Sequence, residues 1–445
     1  MFKTLRNALK VKDIRMKLLY TLGALIIVRL GTLLPAPAVS REAVENVFSS
    51  INLGFFNNLT GGSFTKMSIF ALSISPYISS SIIIQLLTIA IPKLEELQKE
   101  GEDGRKKIEE LTRYMAVGLA IVESIAMAIG FGGSQGVLEG GLTFTNVVIV
   151  AASFTAGSTF LMWLGERITQ NGVGNGISII LLINIVSTMP ADFIRLYYQF
   201  VYEQPVWKAI IAVLVILAVT LFTIVFVLLL QNGERKIPVQ YAKKVQGRKM
   251  VGGQTSNIPL KVNTAGVIPV IFASSLMSFP GVIFSFFGVY PDRAYFWPKV
   301  LKVMDQGSWL NINFRNFDFG EFKYSIGLLI YIGLIIFFAY FYTSITFNPI
   351  EIANNMKKQG GFIPGIRPGK PTTEHLSKVL NRVIFIGAIG LIIVSVIPMF
   401  FSGAFGASVS FGGTSIIIIV GVIIETINQV ESQMLVRHYK GFLND

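Results

Sequence analysis

Long apolar runs alternate with short polar segments along almost the whole of this chain. Ten of these runs are long enough for a transmembrane helix, which needs about 20 mostly apolar residues. They cover residues 18–34, 67–91, 111–131, 146–165, 177–197, 207–230, 264–287, 325–346, 379–401 and 414–435. The pattern therefore predicts an all-α membrane protein with ten transmembrane helices.

The stretch of residues 53–92 does not fit a helix that faces only lipid. Its second half is apolar, yet serines, Pro76 and Gln85 run through the middle, and a half-polar segment with two adjacent glycines precedes it. Such interruptions are tolerated inside a membrane where neighbouring protein or a water-filled cavity satisfies the backbone polar groups. We therefore expect this stretch to line a pathway.

Composition supports a membrane protein and limits the available chemistry. The 445 residues are 52% hydrophobic and 14% charged, with a mean hydropathy of +0.62, values typical of a chain with many spans. Cysteine is absent, so we expect no disulfide and no thiolate metal site. Residues 1–17 are basic and no cleavage site closes the apolar run after them, which predicts a retained segment and first helix.

The net charge of +13 is concentrated in a few segments. Most lysines and arginines lie in the termini and in the loops after the second, fourth, sixth and eighth predicted helices. By the positive-inside rule, these loops and both termini are cytoplasmic. Two of the loops, residues 231–262 and 348–382, are long.

The sequence also predicts regular structure within the cytoplasmic loops. An alternating pattern at residues 237–241 predicts a hairpin arm in the loop of residues 231–262. Residues of both charges at helical spacing after the second predicted helix predict a helical extension there.

Ten spans divide into two sets of five. Because five is odd, the second set enters the membrane with the opposite orientation, which allows an inverted repeat with a pathway between the halves. The predicted organisation is a cytoplasmic N-terminal segment (1–17), an N-terminal half (18–197), a C-terminal half (207–435) and a cytoplasmic tail (436–445).

Residues suited to catalysis or metal binding are scarce. The two histidines, His375 and His438, lie in predicted cytoplasmic segments and outside any H-E-x-x-H pattern. The glycine-rich residues 172–176 follow a membrane helix and lack the Lys-Ser/Thr of a P-loop, so they predict a turn into the fifth helix. We expect no enzymatic activity, no metal and no cofactor; only a serine activated by a nearby base would revive an intramembrane enzyme.

Ionisable residues inside the predicted spans are few. Arg29 and Glu431 lie toward helix ends, where snorkelling or a local ion pair explains them. Glu123 and Glu425 lie deeper, and polar packing between helices explains them as well as a proton relay would. These residues give little support to an ion-coupled carrier. Ten spans and a possible inverted repeat nevertheless keep a secondary transporter for a small solute as the alternative to a passive pathway.

Several aliphatic residues occupy positions that would suit a pore. Ile74 and Ile78 are four residues apart and share a helix face, and residues of other helices join them if those helices meet centrally. These residues are Ile185, Ile268, Ile271 and Ile418. A hydrophobic constriction can gate a pore by dewetting, although lipid contact or packing is the ordinary role of such side chains.

Four separated stretches resemble the SecY family of protein-conducting channels. They are residues 68–87 (SIFALSISPYISSSIIIQLL), 163–178 (WLGERITQNGVGNGIS), 259–275 (PLKVNTAGVIPVIFASS) and 348–369 (NPIEIANNMKKQGGFIPGIRPG). The resemblance extends over nearly the whole chain. It implies an hourglass channel of two pseudo-symmetric, inverted five-helix halves around a central pore, which passes secretory polypeptides and releases membrane helices sideways into lipid.

The resemblance also implies roles for particular residues. Residues 53–66 resemble the plug, an element in the external funnel, with Asn57, Asn58, Leu59, Thr60, Gly61, Gly62, Ser63 and Phe64 at its centre. The constriction ring would consist of Ile74, Ile78, Ile185, Ile268, Ile271 and Ile418. The second, third, seventh and eighth helices would border a lateral gate. Ser79 to Gln85 would form one edge of its seam, with Ser79 facing Phe279.

The partners implied by the resemblance are a single-span subunit, SecE, often a further subunit, SecG, and the SecA motor ATPase or the ribosome. Signal peptides, nascent polypeptides and lipid are the other expected partners, in the inner membrane of a bacterial cell. The basic residues expected to engage acidic protein surfaces or ribosomal RNA are Arg235, Lys236, Lys243, Lys244, Arg248, Lys249, Lys357, Lys358, Arg367 and Lys370. Arg367, between two Pro-Gly pairs, is the residue expected to matter most for the motor. A basic loop is otherwise a topology signal near anionic lipid.

One position departs from the family pattern. Ser73 stands where the family commonly has glycine, before the first isoleucine of the expected ring. Serine fits a helix better than glycine. We therefore expect Ser73 to lie in the second helix and to make that helix less flexible there.

Overall fold

The computed structural model describes residues 9–44, 57, 59–132, 137–202, 204–241, 244–246, 249–251, 255–286, 310–312, 322–324, 326–405 and 413–441. Its helices are α1 (Lys12–Gly31), α2 (Ser75–Ala90), α3 (Pro92–Lys99), α4 (Glu102–Gly132), α5 (Phe144–Asn171), α6 (Gly176–Phe200), α7 (Val206–Asn232), α8 (Ile268–Phe286), α9 (Ile326–Thr346), α10 (Pro349–Lys358), α11 (Lys370–Phe405) and α12 (Gly413–Gly441). Its strands are β1 (Glu234–Tyr241), β2 (Lys244–Gln246), β3 (Lys249–Val251), β4 (Thr255–Lys261), β5 (Leu310–Ile312), β6 (Phe322–Tyr324) and β7 (Gly361–Phe362).

Seven spans in the described part of the chain are long and apolar enough to cross a membrane. They are α4, α5, α6, α7, α11, α12 and the stretch formed by α9 with α10. An eighth span results if α2 and α3 are counted together, although the chain bends by 101° between them, where Pro92 begins α3. The two remaining predicted spans coincide with α1, whose first turns are charged, and with α8. The structure is therefore consistent with the predicted ten.

The second predicted span begins too early. Residues 67–74 form turns, and α2 begins only at Ser75. The apolar composition of these eight residues suggested a helix, but their main chain is engaged elsewhere: the Ile69 N–H donates to the Leu34 carbonyl at 3.0 Å, and the Met67 carbonyl accepts from the Ala36 N–H at 3.1 Å. At Met67 and Ile69, pairing with residues 34–36 replaces the bonds that a helix would make, and the residues after them form local turns.

Two compact units divide the chain. Unit 1 contains α1 to α6 and α12, and unit 2 contains α7, the strands, α9 to α11 and α8 as far as Met277. The last helix therefore groups with α6, on which it packs, and not with the helices that precede it in sequence. Its Val430 joins Ile14 and Val173 in a buried apolar cluster. The predicted halves, 18–197 and 207–435, follow sequence order and stay a prediction.

Close helix contacts hold unit 1 together. Helix α4 packs on both α2 and α5, and the Ser80 hydroxyl of α2 donates to the Thr112 carbonyl of α4 at 2.7 Å. Gly157 of α5 lies against the main chain at Ile69, where a Cβ atom would come within 2.1 Å of the carbonyl oxygen. A larger residue would therefore separate α5 from the turns that precede α2.

The connection into α6 is the glycine turn that the sequence predicts. The Asn175 side chain caps α6 by accepting hydrogen bonds from the Ile177 and Ser178 N–H groups. Gly174 adopts a φ of +80°, which favours glycine. The helical extension predicted after the second span is also confirmed, as α3 and the first turns of α4.

A small sheet lies in unit 2. Strand β1 pairs antiparallel with β4 on one side and with β7 on the other, so the predicted hairpin arm is confirmed. Ile237 and Val239 of β1 are buried in a cluster with residues of β4, α10 and α11, whereas the alternate residues of β1 are exposed. This alternation is typical of a strand with one face on a core.

Gly387 of α11 should be essential for the packing of unit 2. A Cβ atom there would lie 2.2 Å from the Val262 carbonyl oxygen, and because this is backbone it cannot move aside cheaply. We expect Gly387→Ala to destabilise the protein by about 1–3 kcal/mol, measured as a lower midpoint of thermal unfolding in detergent. Gly333→Ala in α9, with no atom within 4 Å of the added methyl group, is the control. Equal midpoints for the two variants would contradict the contact.

Candidate functional site

Asn57 and residues 59–66, called segment 57–66 below, belong to unit 1, and Lys66 is the exposed residue among them. Four of their side chains are buried, with at most 5% of their surface exposed. These residues are Leu59, Thr60, Ser63 and Phe64. Phe64 packs in a core cluster with Met67 and Phe154. Residues 53–56 and Asn58, which also belong to the predicted plug, lie outside the described residues.

Hydrogen bonds fold the segment onto itself. The Thr65 hydroxyl donates to the Asn57 side-chain oxygen at 2.9 Å, and the Gly62 N–H donates to the Asn57 carbonyl at 2.9 Å. The Ser63 hydroxyl lies 2.7 Å from the Thr60 carbonyl oxygen and 2.8 Å from that of Phe70. The segment is therefore a compact element that is joined to the turns following it.

Two helices of unit 1 reach the main chain of this segment. The Arg29 guanidinium of α1 donates from Nη1 to the Gly61 carbonyl at 3.3 Å. The Asn184 amide of α6 donates from Nδ2 to the Leu59 carbonyl at 3.0 Å and to the Ser73 hydroxyl at 3.0 Å. Asn184 is 1% exposed and its Oδ1 lacks a hydrogen-bond partner in the structure. Side chains from both helices thus bind main-chain carbonyls two residues apart.

The expectation for Ser73 was wrong. This residue lies before α2, in a left-handed conformation with φ of +51°. Glycine is the residue that this conformation favours, so serine is strained here and does not extend the helix. Its side chain is 2% exposed and accepts the hydrogen bond from Asn184, an interaction that glycine could not make.

The residues of the expected ring are distributed over both units. In unit 1, Ile74, Ile185 and Ile418 are buried and Ile78 is half-buried. In unit 2, Ile271 is buried and Ile268 is half-buried. Ile74 precedes α2 and is not inside it. Ile74 and Ile185 each follow a member of the bonded pair Ser73 and Asn184, so the structure brings these two ring positions close together.

The residues expected at the lateral gate belong to α2 and α8. Ser79 and Gln85 are half-buried on α2. The Gln85 amide donates to the Ser81 hydroxyl at 3.2 Å, while its Oε1 is buried without a hydrogen-bond partner. The backbone of Phe279 lies in α8, and its side chain is outside the described part of the structure.

Most of the basic residues expected to bind partners are described and belong to unit 2. Six are exposed: Arg235, Lys236, Lys357, Lys358, Arg367 and Lys370. Lys244 and Lys249 belong to the paired strands β2 and β3. Lys243 and Arg248 lie outside the described residues.

Arg367 lies on a turn that both neighbouring elements fix. The Thr372 hydroxyl of α11 donates to the Arg367 carbonyl at 2.8 Å. Ile363, at the other end of the turn, is buried in the core that α11 shares with the sheet. Gly365 and Gly369 have φ angles of +80° and +103°. An exposed guanidinium is therefore presented from a backbone of defined shape.

Sequence reasoning missed Asn184 and underestimated Arg29. Arg29 was noticed because a charged residue within a span is unusual, but its acceptor is a main-chain carbonyl, which has no sequence signature. Asn184 interrupts an apolar run of α6, and this polar position was the available signal. Among the described residues, no group of three His, Asp or Glu side chains could hold a metal ion.

Comparison with known proteins gives a uniform result. The SecY family model matches residues 68–427. A protein translocase subunit SecY from Bacillus subtilis (strain 168) is 41% identical over 451 residues, with 100% of both chains covered. One from Streptomyces coelicolor is 42% identical over 461 residues, also with 100% of both chains covered.

Solved structures show the same fold. A SecY whose plug domain stabilises the closed state of the channel and maintains a membrane seal superposes with a TM-score of 0.61 and 17% identity, over 95% of this chain and 93% of the other. Sec61 in the canine ribosome-channel complex from the endoplasmic reticulum has a TM-score of 0.60, 17% identity and the same coverage. At this identity, the similarity concerns the fold.

The fold and the matched sequence together define a class of protein: a helical membrane protein that forms a channel for polypeptides. More specifically, the chain belongs to the SecY family, since the family model covers most of it and full-length relatives are about 40% identical. Its function is protein translocation.

Proposed function

We propose that this chain is the central, passive pore of a translocase in the inner membrane of a bacterial cell, with segment 57–66 as its plug. The observation that carries this proposal is the burial of segment 57–66 in unit 1 and its bonding to α1 and α6. A similar fold is one in which a plug domain maintains a membrane seal. Segment 57–66 would then close the channel when no polypeptide is in transit.

A ring of isoleucines would form the second barrier. Aliphatic side chains can close around a moving segment without holding it, because they offer no directional hydrogen bonds. They oppose ions because removal of the hydration shell in an apolar constriction is costly. The burial of Ile74 and Ile185 beside the bonded pair Ser73 and Asn184 supports placing both in this ring.

Release into lipid would occur between α2 and α4 on one side and α8 and α9 on the other. An apolar segment in transit gains roughly 25 cal/mol per Å² of apolar surface that it transfers out of water. Sufficiently hydrophobic segments would therefore leave sideways, and polar segments would continue across the membrane. No chemical change in the polypeptide is required.

The loops 231–262 and 348–382 would be cytoplasmic and would bind the driving partner. Their basic character supports this orientation by the positive-inside rule, which also places both termini in the cytoplasm. SecA would bind their exposed cations through acidic side chains, and a ribosome would bind them through RNA phosphates in a salt-dependent manner. Among proteins of similar fold, Sec61 and the yeast Ssh1 complex are ribosome-bound. SecE and SecG complete the proposed assembly.

Reconstitution in liposomes tests the proposed function. With the motor ATPase, SecE and ATP present, an unfolded secretory precursor should become protected from external protease, and vesicles without this chain should give no protection. A carrier would instead accumulate a small solute against its gradient. Solute accumulation, together with normal secretion in cells depleted of this chain, would contradict the channel.

A further inference from the structure

We propose that Arg29 and Asn184 form a latch that holds segment 57–66 through its main chain and links its release to the start of α2. The inference rests on the proposed role of this segment as a plug. Arg29 binds the Gly61 carbonyl at 3.3 Å, and Asn184 binds the Leu59 carbonyl at 3.0 Å. The two helices that supply them, α1 and α6, pack against each other. The latch therefore anchors the segment to a fixed wall of unit 1.

Gly61 allows the close approach on which the latch depends. A Cβ atom at this position would lie 2.8 Å from Arg29 Nη1, 3.0 Å from Asn184 Cα and 3.0 Å from Asn184 Oδ1. Its φ of +65° also disfavours any residue with a side chain. Both latch residues thus converge on one position that lacks a side chain, and the unpartnered Oδ1 of Asn184 faces the same place.

The latch is built to open. Its acceptors on segment 57–66 are neutral carbonyls, and the ten residues of the segment include no Asp or Glu. A carboxylate facing Arg29 would form an ion pair that is hard to break once shielded from water. When the bonds to carbonyl oxygens break, the N–H groups of Arg29 and Asn184 can donate to water in the opened channel instead. Release therefore exchanges hydrogen bonds to carbonyl groups for hydrogen bonds to water and breaks no ion pair within segment 57–66.

The Asn184 amide also connects the latch to α2. Its two N–H groups serve the Leu59 carbonyl and the Ser73 hydroxyl, and Ser73 lies two residues before α2 begins. A displacement of the N-terminus of α2 would remove one of the contacts that orient this amide. The second contact, to segment 57–66, would then weaken. Movement of α2 would in this way favour release of the segment.

Alanine at Gly61 tests the close approach. The full channel complex, without precursor, is reconstituted in planar bilayers and its ion conductance is recorded. Gly61→Ala should raise idle conductance about tenfold, because the added methyl group displaces both latch residues. Gly62 has a similarly positive φ of +83°, but a Cβ atom there would have no neighbouring atom closer than 4.0 Å. The increase in conductance with Gly62→Ala should therefore be clearly smaller. Equal conductance of the two variants would overturn the latch.

A further control separates strain from position. Gly141, which lies outside segment 57–66, has a φ of +81°, and a Cβ atom there would have no atom within 4 Å. The control variant is Gly141→Ala. This variant should leave idle conductance unchanged. An increase similar to that of Gly61→Ala would mean that backbone strain anywhere in unit 1 opens the channel, which would also overturn the proposal.

The side chains of the latch are tested directly with Asn184→Leu and Ser73→Ala. Loss of the Asn184 hydrogen bonds should raise idle conductance by about five- to thirty-fold. Ser73→Ala should have a smaller effect alone and almost none in the presence of Asn184→Leu, because both changes remove the same contact. Additive effects of the two substitutions would contradict the link to α2.

A cysteine reporter detects release of the segment independently of conductance. The chain has no cysteine, so Ser63→Cys introduces a unique thiol at a position that is 0% exposed. A membrane-impermeant maleimide should label it slowly in the idle channel and about tenfold faster with Asn184→Leu. Equal labelling rates would overturn the latch.

The conductance measurements distinguish failure of the latch from failure of the plug. If deletion of residues 57–64 raises idle conductance while the latch variants do not, only the latch is wrong. If neither the deletion nor the latch variants raise it, the plug assignment is wrong as well.

Discussion

Arg367→Glu should abolish motor-driven translocation while the channel still folds and associates with SecE. The residue is exposed, and its turn is fixed from both sides by the bond from Thr372 and by the buried Ile363. Charge reversal would therefore change the surface and not the core. If an acidic group of the motor binds this guanidinium, reversal replaces attraction with repulsion. We expect the translocation rate in the reconstituted system to fall by about a hundredfold or more, to the level without ATP.

Three comparisons make this result specific to Arg367. Arg367→Lys keeps the charge but loses the planar, bidentate geometry, so an intermediate rate is expected. Lys370→Glu makes the same change of charge nearby and should reduce the rate less. Arg105→Glu reverses the charge of an exposed residue at the start of α4 and should leave the rate unchanged. Normal secretion by Arg367→Glu would exclude this residue from motor binding.

The parts of the fold that follow from local pattern could be predicted from the sequence. Apolar runs locate the long helices, the glycine-rich residues 172–176 locate the turn into α6, and alternation at residues 237–241 locates β1. In each case the signal lies within the element itself. Pro92 likewise begins a new helix at the sharp bend after α2, where a proline is favoured at the first helical position.

The start of α2 could not be predicted in this way. Residues 67–74 are as apolar as a helix, but Met67 and Ile69 form main-chain hydrogen bonds to residues 34–36, which lie far away in sequence, and residues 68–75 form local turns. The left-handed conformation of Ser73 is set by the same turns and by Asn184. The hydropathy of these residues correctly predicts that most of them are buried. It does not determine the conformation of their backbone.

The candidate site shows the same limit. The family resemblance supplies the position of segment 57–66, whereas the sequence alone explains the charge at Arg29 by snorkelling or a local ion pair. What holds the segment is a pair of bonds to carbonyl groups, which every residue possesses. Only the fold determines which carbonyls meet Arg29 and Asn184, so the latch becomes visible only in three dimensions.

Removal of residues 57–64 should make the idle channel leak ions. The deletion eliminates the buried side chains of Leu59 and Phe64 and the acceptors of Arg29 and Asn184. Burial of one such side chain contributes about 1.5–3 kcal/mol and each hydrogen bond about 0.5–1.5 kcal/mol to the closed state. Loss of this stabilisation should raise the conductance of channels without precursor by about tenfold or more. The measurement is single-channel recording in planar bilayers.

A second variant separates the loss of contacts from the shortening of the chain. Replacement of residues 57–64 by a Gly/Ser sequence of equal length keeps the connection between α1 and α2 but removes the buried side chains. Both variants should leak, and both should still translocate a precursor, because the wall formed by α1, α5 and α6 retains its own contacts. Translocation thus serves as the control for folding. Unchanged idle conductance in two variants that still translocate would mean that segment 57–66 does not seal the channel, and that the isoleucine ring alone forms the barrier to ions.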